Sequence, residues 1–336
     1  MPDSGVNALC PPPGAKRWSR IRKSGPFELR KIADHYPLYS RWLADKIQKL
    51  DKLPDFSEDE RVFVMSDYGG EHKTAAFNTY AFLIASVDKL AVFKRETHAL
   101  REAHGLNAPF NEFAYKKLGY GPIGRALTEY LRISDKYIHG VLVTISVEKC
   151  IPSLFGPQKR TAQQGIVDLL SANDLGNWGP HEAEKLLRVC HAIAMFLALL
   201  THSGQKFLWM SDRDAITEDG GVRTFENTQR VFLHALRMYT DNEYEICGFA
   251  KPFEKDPFTS DLLSLADFGA GAIQDVLQSL KAGDVKDNMG KRQIIRWLGT
   301  SSPFLSKLNL VFKMDGGKMI CGNVLLKAKN RRLAGQ

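Results

Sequence analysis

The chain has 336 residues, 44% of them hydrophobic, and a formal net charge of +8, as expected of a globular protein with a full core. Its longest apolar run, AIAMFLALL, is too short to span a membrane, and its first residues lack the basic start and apolar centre of a signal peptide. The five cysteines contain no C-x-x-C pair, so neither a disulfide framework nor a zinc knuckle is indicated, and we expect a reducing, cytoplasmic setting.

The predicted elements begin with a basic, flexible arm over residues 1–26, which is rich in Pro, Gly and cations. Its string KRWSRIRK suits either contact with nucleic acid or a disordered tail. Apolar residues at helical spacing then predict a helix or helix pair from Phe27 to Leu50, broken near Pro37. Residues 27–59 are therefore interpreted as a helical extension with a linker.

The main domain is predicted over residues 60–280. It opens with a meander of three strands, which are Val62–Ser66, Phe77–Ser86 and a short strand around Leu90–Phe93. Helical stretches from about Glu96 to Ile133 follow. Strands and helices then alternate, in the order strand Val141–Val147, helix His181–His202, strand Phe207–Met210, helix Thr228–Tyr239, strand Tyr244–Phe249 and helix Ser260–Leu280. This order predicts an α/β fold, a mixed sheet with helices packed on its faces.

Residues 281–336 are predicted to form a small basic C-terminal appendage. The segment RQIIRWL is interpreted as a helix, and LNLVFKM and MICGNVLL as two strands joined by a turn at Asp315–Gly317.

Charge is distributed unevenly along the chain. Residues 1–49 carry a net charge of +6 and residues 281–336 carry +9, which leaves −7 for the middle. A metal-dependent enzyme acting on a polyanion would show this pattern, because basic ends hold phosphates while an acidic centre holds cations. The alternative is that the Lys-rich ends only keep the protein soluble.

Four segments each deliver a carboxylate close to the place where an apolar run ends. Asp67 follows RVFVMS, Glu148 follows GVLVTISV, Asp212 follows QKFLWMS, and Asp267 lies in LLSLADFGAGA. An acid at the end of a buried strand lies at the edge of the sheet, where ligands usually bind. Because converging carboxylates repel one another, the pattern predicts a site for divalent cations.

Five short motifs occur in the same order as the elements: Ser66–Gly70 (SDYGG), Asn111–Ala114 (NEFA), Val147–Lys149 (VEK), Ser211–Asp214 (SDRD) and Leu263–Gly271 (LSLADFGAG). Together with the element order they resemble a domain-of-unknown-function family of the ribonuclease H-like fold. Members of that family open with Asp-Glu-Ser-Gly and close with Leu-Gln-x-Ala-Asp-Leu-x-Ala-Gly. The resemblance covers roughly residues 61–280. The chain departs from the pattern at Tyr68, Ala114 and Glu148, where the family has an acid, a His and an Asp.

The resemblance implies a nuclease with a two-metal carboxylate site that binds Mg²⁺ or Mn²⁺ and hydrolyses a phosphodiester in DNA or RNA. Asp67 would bridge both metals, and Glu148, Asp267 and Glu112, the last on the first helix, would complete the ligands. Asp212 and Asp214 would form a nearby second pair, facing one side if their strand continues through Arg213.

The alternative function is a catalytically inactive ribonuclease H-like module that binds nucleic acid or a protein partner, which the departures at Tyr68 and Ala114 motivate. The run Gly119–Gly124 matches G-x-G-x-x-G, but the preceding FNEFAYKKL is unlike the buried strand that a dinucleotide site requires. His72 is a candidate proton shuttle because it follows Asp67 closely. The sequence gives no indication of the oligomeric state.

Overall fold

A seven-stranded mixed sheet forms the centre of the described part of the protein. The computed structural model describes residue 32 and residues 36–50, 53–108, 111–119, 121–220, 223–251, 256–282 and 288–326. The predicted arm of residues 1–26 lies outside these ranges. The strands are β1 (Arg61–Gly69), β2 (Phe77–Ser86), β3 (Gly140–Glu148), β4 (Lys206–Ser211), β5 (Ile246–Ala250), β6 (Leu305–Asp315) and β7 (Lys318–Asn323).

The strand order is β5-β4-β1-β2-β3-β6-β7. β2 runs antiparallel to both β1 and β3, while β4 runs parallel to β1, and β5 runs parallel to β4. The first five strands thus form an antiparallel meander with two parallel strands beyond β1. This is the mixed sheet of a ribonuclease H-like fold, which confirms the predicted fold class.

Eight helices in the described ranges surround the sheet: α1 (Leu38–Ile47), α2 (Ala91–His104), α3 (Gly121–Tyr137), α4 (Lys159–Ala172), α5 (Pro180–Leu200), α6 (Phe225–Tyr239), α7 (Pro257–Ala282) and α8 (Met289–Leu298). α5 packs on one face, in a core shared with α1, α4 and α6. α7 covers the other face, in a core shared with α2, α3 and α8. Because both faces are covered, β2 and β3 are buried along their whole length.

The predicted short strand around Leu90–Phe93 is wrong. A 3₁₀ turn at Val87–Lys89 leads directly into α2, whose buried residues Phe93, Thr97 and Leu100 recur at helical spacing. The third strand of the meander is instead β3. Helix α4 has no counterpart among the predicted elements. The run Gly119–Gly124 follows a 3₁₀ turn rather than a strand, so it lacks the setting of a dinucleotide site.

The C-terminal hairpin belongs to the same sheet. β6 pairs in parallel with β3 and β7 pairs antiparallel with β6, joined by a turn in which Gly316 and Gly317 have φ of 55° and 79°. The predicted appendage therefore continues the sheet beyond β3, because the buried edge of β3 finds its hydrogen-bonding partner there.

The N-terminal helix begins where the sequence predicts a break. Pro37 precedes α1, which buries Tyr39, Leu43 and Ile47 in the core beneath α5. Most of the predicted helical stretch before Pro37 lies outside the described residues. None of the helices in the described ranges is long and apolar enough to cross a membrane.

Candidate metal centre

Strand β1 carries Asp67 on the face of the sheet that α7 covers. Side chains of a strand alternate between its two faces. Val64 belongs to the core beneath α5, whereas Met65 belongs to the core beneath α7. Asp67 therefore shares the α7 face with Met65, at the point where β1 ends and the side chain becomes half-buried.

Helix α7 approaches this face closely because its facing residues are small. Three alanines form a small buried cluster between helix and strands, namely Ala81, Ala266 and Ala270. A Cβ atom at Gly269 would lie 2.7 Å from the Thr144 hydroxyl oxygen, closer than side chains pack, so the helix requires glycine here. This close packing brings Asp267 of α7 next to Asp67.

The carboxyl groups of Asp67 and Asp267 lie close enough for each to alter the pKa of the other. Burial raises the pKa of Asp67 to about 8, and the negative charges of Asp267 and Asp212 add to this shift. Burial also raises the pKa of Asp267, although the Tyr115 backbone N–H donates a hydrogen bond to its Oδ2 at 2.7 Å. The pair therefore holds a proton at neutral pH, because two adjacent carboxylates resist simultaneous ionisation.

Asp212 follows the end of β4, the parallel neighbour of β1. Its backbone N–H donates to the Ser66 carbonyl at 3.0 Å, and its Oδ1 accepts the Arg213 N–H at 2.8 Å. The side chain is exposed to solvent. Its negative charge raises the pKa of both Asp67 and Asp267. Asp212 is thus the third carboxylate at this end of β1.

Glu112 lies near the edge of the same group. It belongs to an extended segment between α2 and α3, and not to a helix as the sequence predicts. Its charge contributes to the raised pKa of Asp267, and its Oε1 accepts a hydrogen bond from Lys117 Nζ at 3.0 Å. With 49% of its side chain exposed, Glu112 is a peripheral member of the cluster.

Asp214 is not part of this cluster. β4 ends at Ser211, so the strand does not continue through Arg213, and the predicted pairing of Asp212 with Asp214 on one face is wrong. Asp214 turns toward α5, where Lys185 Nζ lies 2.5 Å from its Oδ2, and it accepts the Ile216 N–H. It forms an ion pair and closes a turn.

Glu148 is also separate from the other acids. Thr144 of β3 is level with Ala81, which is level with Asp67, and Glu148 lies four residues further along β3. This corresponds to about 13 Å along the strand and about 10 Å across the sheet. Glu148 accepts hydrogen bonds from Lys281 Nζ at 2.6 Å and from the Met314 N–H at 2.8 Å. The predicted role of Glu148 as a ligand beside Asp67 does not agree with this position.

The departure at Tyr68 does not remove a group from the carboxylate face. Tyr68 points toward α5, its hydroxyl contacts the Ser66 and Ser211 hydroxyls, and Lys185 Nζ lies 5.0 Å from the centre of its ring. The candidate shuttle His72 is exposed on the turn after β1, with its Nδ1 at 3.0 Å from the Thr74 hydroxyl.

Sequence reasoning missed Tyr115, which holds Asp267 through its backbone N–H. The Tyr115 hydroxyl donates to Asp275 Oδ2 at 2.9 Å, and Lys291 Nζ lies 2.7 Å from the same oxygen and 4.6 Å from the Tyr115 ring centre. Any residue other than proline can donate a hydrogen bond from its backbone N–H, so the identity of residue 115 does not reveal this contact. The only clue is Gly271, where a Cβ would lie 2.3 Å from the Tyr115 ring.

The donor set fits a divalent cation in its chemistry, because Asp67, Asp212 and Asp267 supply hard carboxylate oxygens and have no cationic partner within the described ranges. These residues do not form a complete set of metal ligands. In the described part of the chain, no three acid, His or Cys side chains converge closely enough to hold a metal ion. Asp67 and Asp267 share a proton, and a cation that binds between them would have to displace it.

The chain matches no protein-family model and no curated protein. Among solved structures, it is similar to a chain in the structure of the complex of PCNA and RNase HII from Archaeoglobus fulgidus. The two chains are 13% identical, the match covers 70% of this chain and 87% of that chain, and the TM-score is 0.33.

Proposed function

We propose that this protein is a divalent-metal-dependent nuclease, in which Asp67, Asp212 and Asp267 hold Mg²⁺ or Mn²⁺ and a phosphodiester of DNA or RNA is hydrolysed. One observation carries the proposal. Two carboxyl groups from β1 and α7 meet with raised pKa values, and a third acid stands beside them at the end of β4. Burying acids together without a cationic partner costs stability, so the arrangement calls for a ligand that carries positive charge.

In this proposal Asp212 has the metal-binding role that the sequence pattern predicts for Glu148. A bound divalent cation would offset most of the charge of the three carboxylates, and it would supply the Lewis acid that activates water and stabilises the leaving oxygen. Asp67 and Asp267 would lose to solvent the proton that they share if a cation bound between them. The Tyr115 N–H keeps the Asp267 carboxylate in place, and the exposed Asp212 faces incoming substrate.

Two lysines lie near the acids, and each would exchange its carboxylate partner for a phosphate when a polyanionic substrate binds. Lys117 reaches the site through Glu112, and Lys291 through Asp275 and the Tyr115 ring. Cations beside a carboxylate centre suit contacts with the phosphates of a nucleic-acid strand, which fix position without reading sequence.

The test is cleavage of labelled single- and double-stranded DNA and RNA with Mn²⁺, Mg²⁺ or EDTA. Wild type is compared with Asp67→Asn and Asp267→Asn, and with Asp168→Asn as a control for an exposed acid on α4. We expect metal-dependent cleavage that both site variants lose and the control keeps. Cleavage that survives in both site variants would rule the site out.

A second candidate function is a catalytically inactive module that binds nucleic acid or a protein partner. Within the described ranges no three acid, His or Cys side chains converge on one point, which favours this function. The proton on the Asp67–Asp267 pair also reduces their repulsion without a metal. Calorimetry with Mn²⁺ separates the two functions. The inactive module would bind nucleic acid equally well in EDTA and would show no metal binding that depends on Asp67 or Asp267.

A further inference from the structure

A cavity of about 310 Å³ opens on the α5 side of the sheet, beyond the end of β1. Its walls come from the β1–β2 turn, β2, the segment that follows β3, and the first turns of α4 and α5. None of Asp67, Asp212 and Asp267 lines it. Its volume is in the range of cavities that accept small ligands.

The acids that line this cavity already have cationic partners. Glu71 pairs with Lys185, Glu148 with Lys281, and Glu184 with Arg188. These carboxylates are therefore not available to bind a cationic ligand.

Three lysines at the cavity have no carboxylate partner in the part of the chain that the structure describes. Lys73 and Lys159 are exposed at its rim and form no ion pair within the described ranges. Lys149 Nζ donates at 2.8 Å to the neutral His72 carbonyl, and the nearby Glu71, which also acts on its charge, is paired with Lys185. The positive charge at the rim is therefore left for a ligand.

The floor of the cavity contains polar atoms that lack hydrogen-bond partners among the described residues. Asn78 is only 6% exposed, and its Oδ1 is buried with no partner in the described ranges. Arg188, whose side chain is 8% exposed, uses its terminal nitrogens on Glu184 and Tyr80, but its Nε is likewise unpartnered within those ranges. The Arg188 Nε–H is a donor that remains free for an oxygen of a bound anion, whereas Asn78 Oδ1 is an acceptor and gives an anion no hydrogen bond.

Helix α5 begins at the cavity. Its first residues include Pro180 and His181, and His181 lines the wall. The N-terminal end of a helix presents free N–H groups and partial positive charge, which favour anions. Pro180 has no N–H and the first turn already carries Glu182, so the helix end adds only a small part of the positive potential.

We propose that this cavity binds a phosphate group, held by Lys73, Lys149 and Lys159 at the rim and by Arg188 at the floor. The phosphate comes from the end of a nucleic-acid strand, from an internal position of the strand, or from free phosphate. Because the cavity lies on the α5 side and shares no residue with the carboxylate cluster, phosphate binding does not depend on nuclease activity.

The experiment is calorimetric titration of the full-length protein in EDTA, so that metals at the acids contribute nothing. The probes are inorganic phosphate, a short oligonucleotide with a 5′-phosphate, and the same oligonucleotide with a 5′-hydroxyl. The test variant Lys73→Glu/Lys159→Glu is matched by the control Lys94→Glu/Lys136→Glu, which has the same charge change on α2 and α3 over the other face.

We expect the test variant to weaken binding at least about tenfold and the control to retain wild-type affinity. Asn78→Asp, which places a carboxylate at the floor, should weaken phosphate binding similarly while circular dichroism shows a folded protein. Tighter binding of the 5′-phosphate form assigns the cavity to strand ends, equal binding of both forms to an internal phosphate, and binding of inorganic phosphate alone to the free anion. If no probe binds, or if both double variants lose affinity equally, the proposal is wrong.

Discussion

Asp67 on β1 and Asp267 on α7 meet carboxyl to carboxyl, although they lie in opposite halves of the chain. The contact depends on the alternation of β1, which turns Asp67 toward α7, and on the small residues that let α7 lie close to the sheet. Without a counter-ion, ionising both of these buried acids is unfavourable, and the first prediction follows from this cost.

Asp67→Asn and Asp267→Asn should be at least as stable as wild type in EDTA, because each leaves one carboxylate and replaces the shared proton with an amide N–H that donates to it. Mn²⁺ at a hundred times its Kd should stabilise wild type by about 2.7 kcal/mol and the variants by much less. Thermal unfolding with and without metal measures both effects. Equal stabilisation of wild type and both variants would show that the metal binds elsewhere.

Gly271→Ala should lower metal-dependent stabilisation and activity. The added Cβ would lie 2.3 Å from the Tyr115 ring and would push away the residue whose N–H holds Asp267. Overpacking of this kind costs about 1–3 kcal/mol of stability. The matched control is Gly165→Ala in α4, where no described atom lies within 4 Å of the new Cβ. The control should be neutral or slightly stabilised, and similar behaviour of the two variants would argue against the Tyr115 contact.

Glu148→Gln should leave metal binding and cleavage intact. Glu148 is held by Lys281 and by the Met314 N–H, far along β3 from Asp67. The Gln oxygen still accepts the Met314 hydrogen bond and Lys281 is half-exposed, so the loss of the ion pair should cost about 1 kcal/mol. Calorimetric titration with Mn²⁺ decides the matter. A large loss of metal affinity would restore the sequence-based assignment of Glu148 as a ligand.

The buried His191 should make the protein less stable in mild acid. Burial lowers the pKa of His191 to about 4, and its Nδ1 lies 2.6 Å from the Tyr239 hydroxyl. Between about pH 6.5 and pH 4 the unfolded chain binds a proton that the folded protein does not, so the free energy of unfolding falls as the pH falls. The stabilisation that comes from keeping His191 neutral is fully present above pH 6.5. It decreases by up to about 3 kcal/mol as the pH falls to 4.

Urea unfolding of wild type and His191→Gln across this pH range tests the assignment. The variant should be less sensitive to acid than wild type, since Gln does not titrate and can still bond Tyr239. His234→Gln, at an exposed position on α6, serves as the control and should follow wild type. Parallel curves for wild type and His191→Gln would contradict the prediction.

Most strands and helices of this fold can be predicted from sequence patterns. The relative positions of the strand ends in the sheet are harder to predict. The alternation of β1 and the small residues around Asp267 are visible in the sequence, so both acids can be proposed as partners. The position of Glu148 depends on the register of three strands, and no local pattern encodes how far one strand slides past another. The predicted pairing of Asp214 with Asp212 requires β4 to run past Ser211, where the strand ends.

Other features depend on contacts between distant segments. Leu90 starts an apolar run that also fits a strand, and only the packing of α2 against the sheet decides for a helix. Residues from several segments of the chain line the proposed phosphate cavity. In the sequence, Lys73 and Lys159 cannot be told apart from other surface lysines. Asn78 lies within an apolar strand, where an unpaired amide has no signature in sequence.

The pairing of β6 with β3 bears on how the chain can be shortened. All nine residues of β3 are buried, and β6 covers its edge through an uninterrupted parallel register. A protein cut at residue 280, where the motif resemblance stops, would expose the backbone of an apolar strand along this edge. Such an edge pairs readily with a second chain, so the shortened protein should aggregate, whereas a chain that retains residues 281–326 should remain soluble.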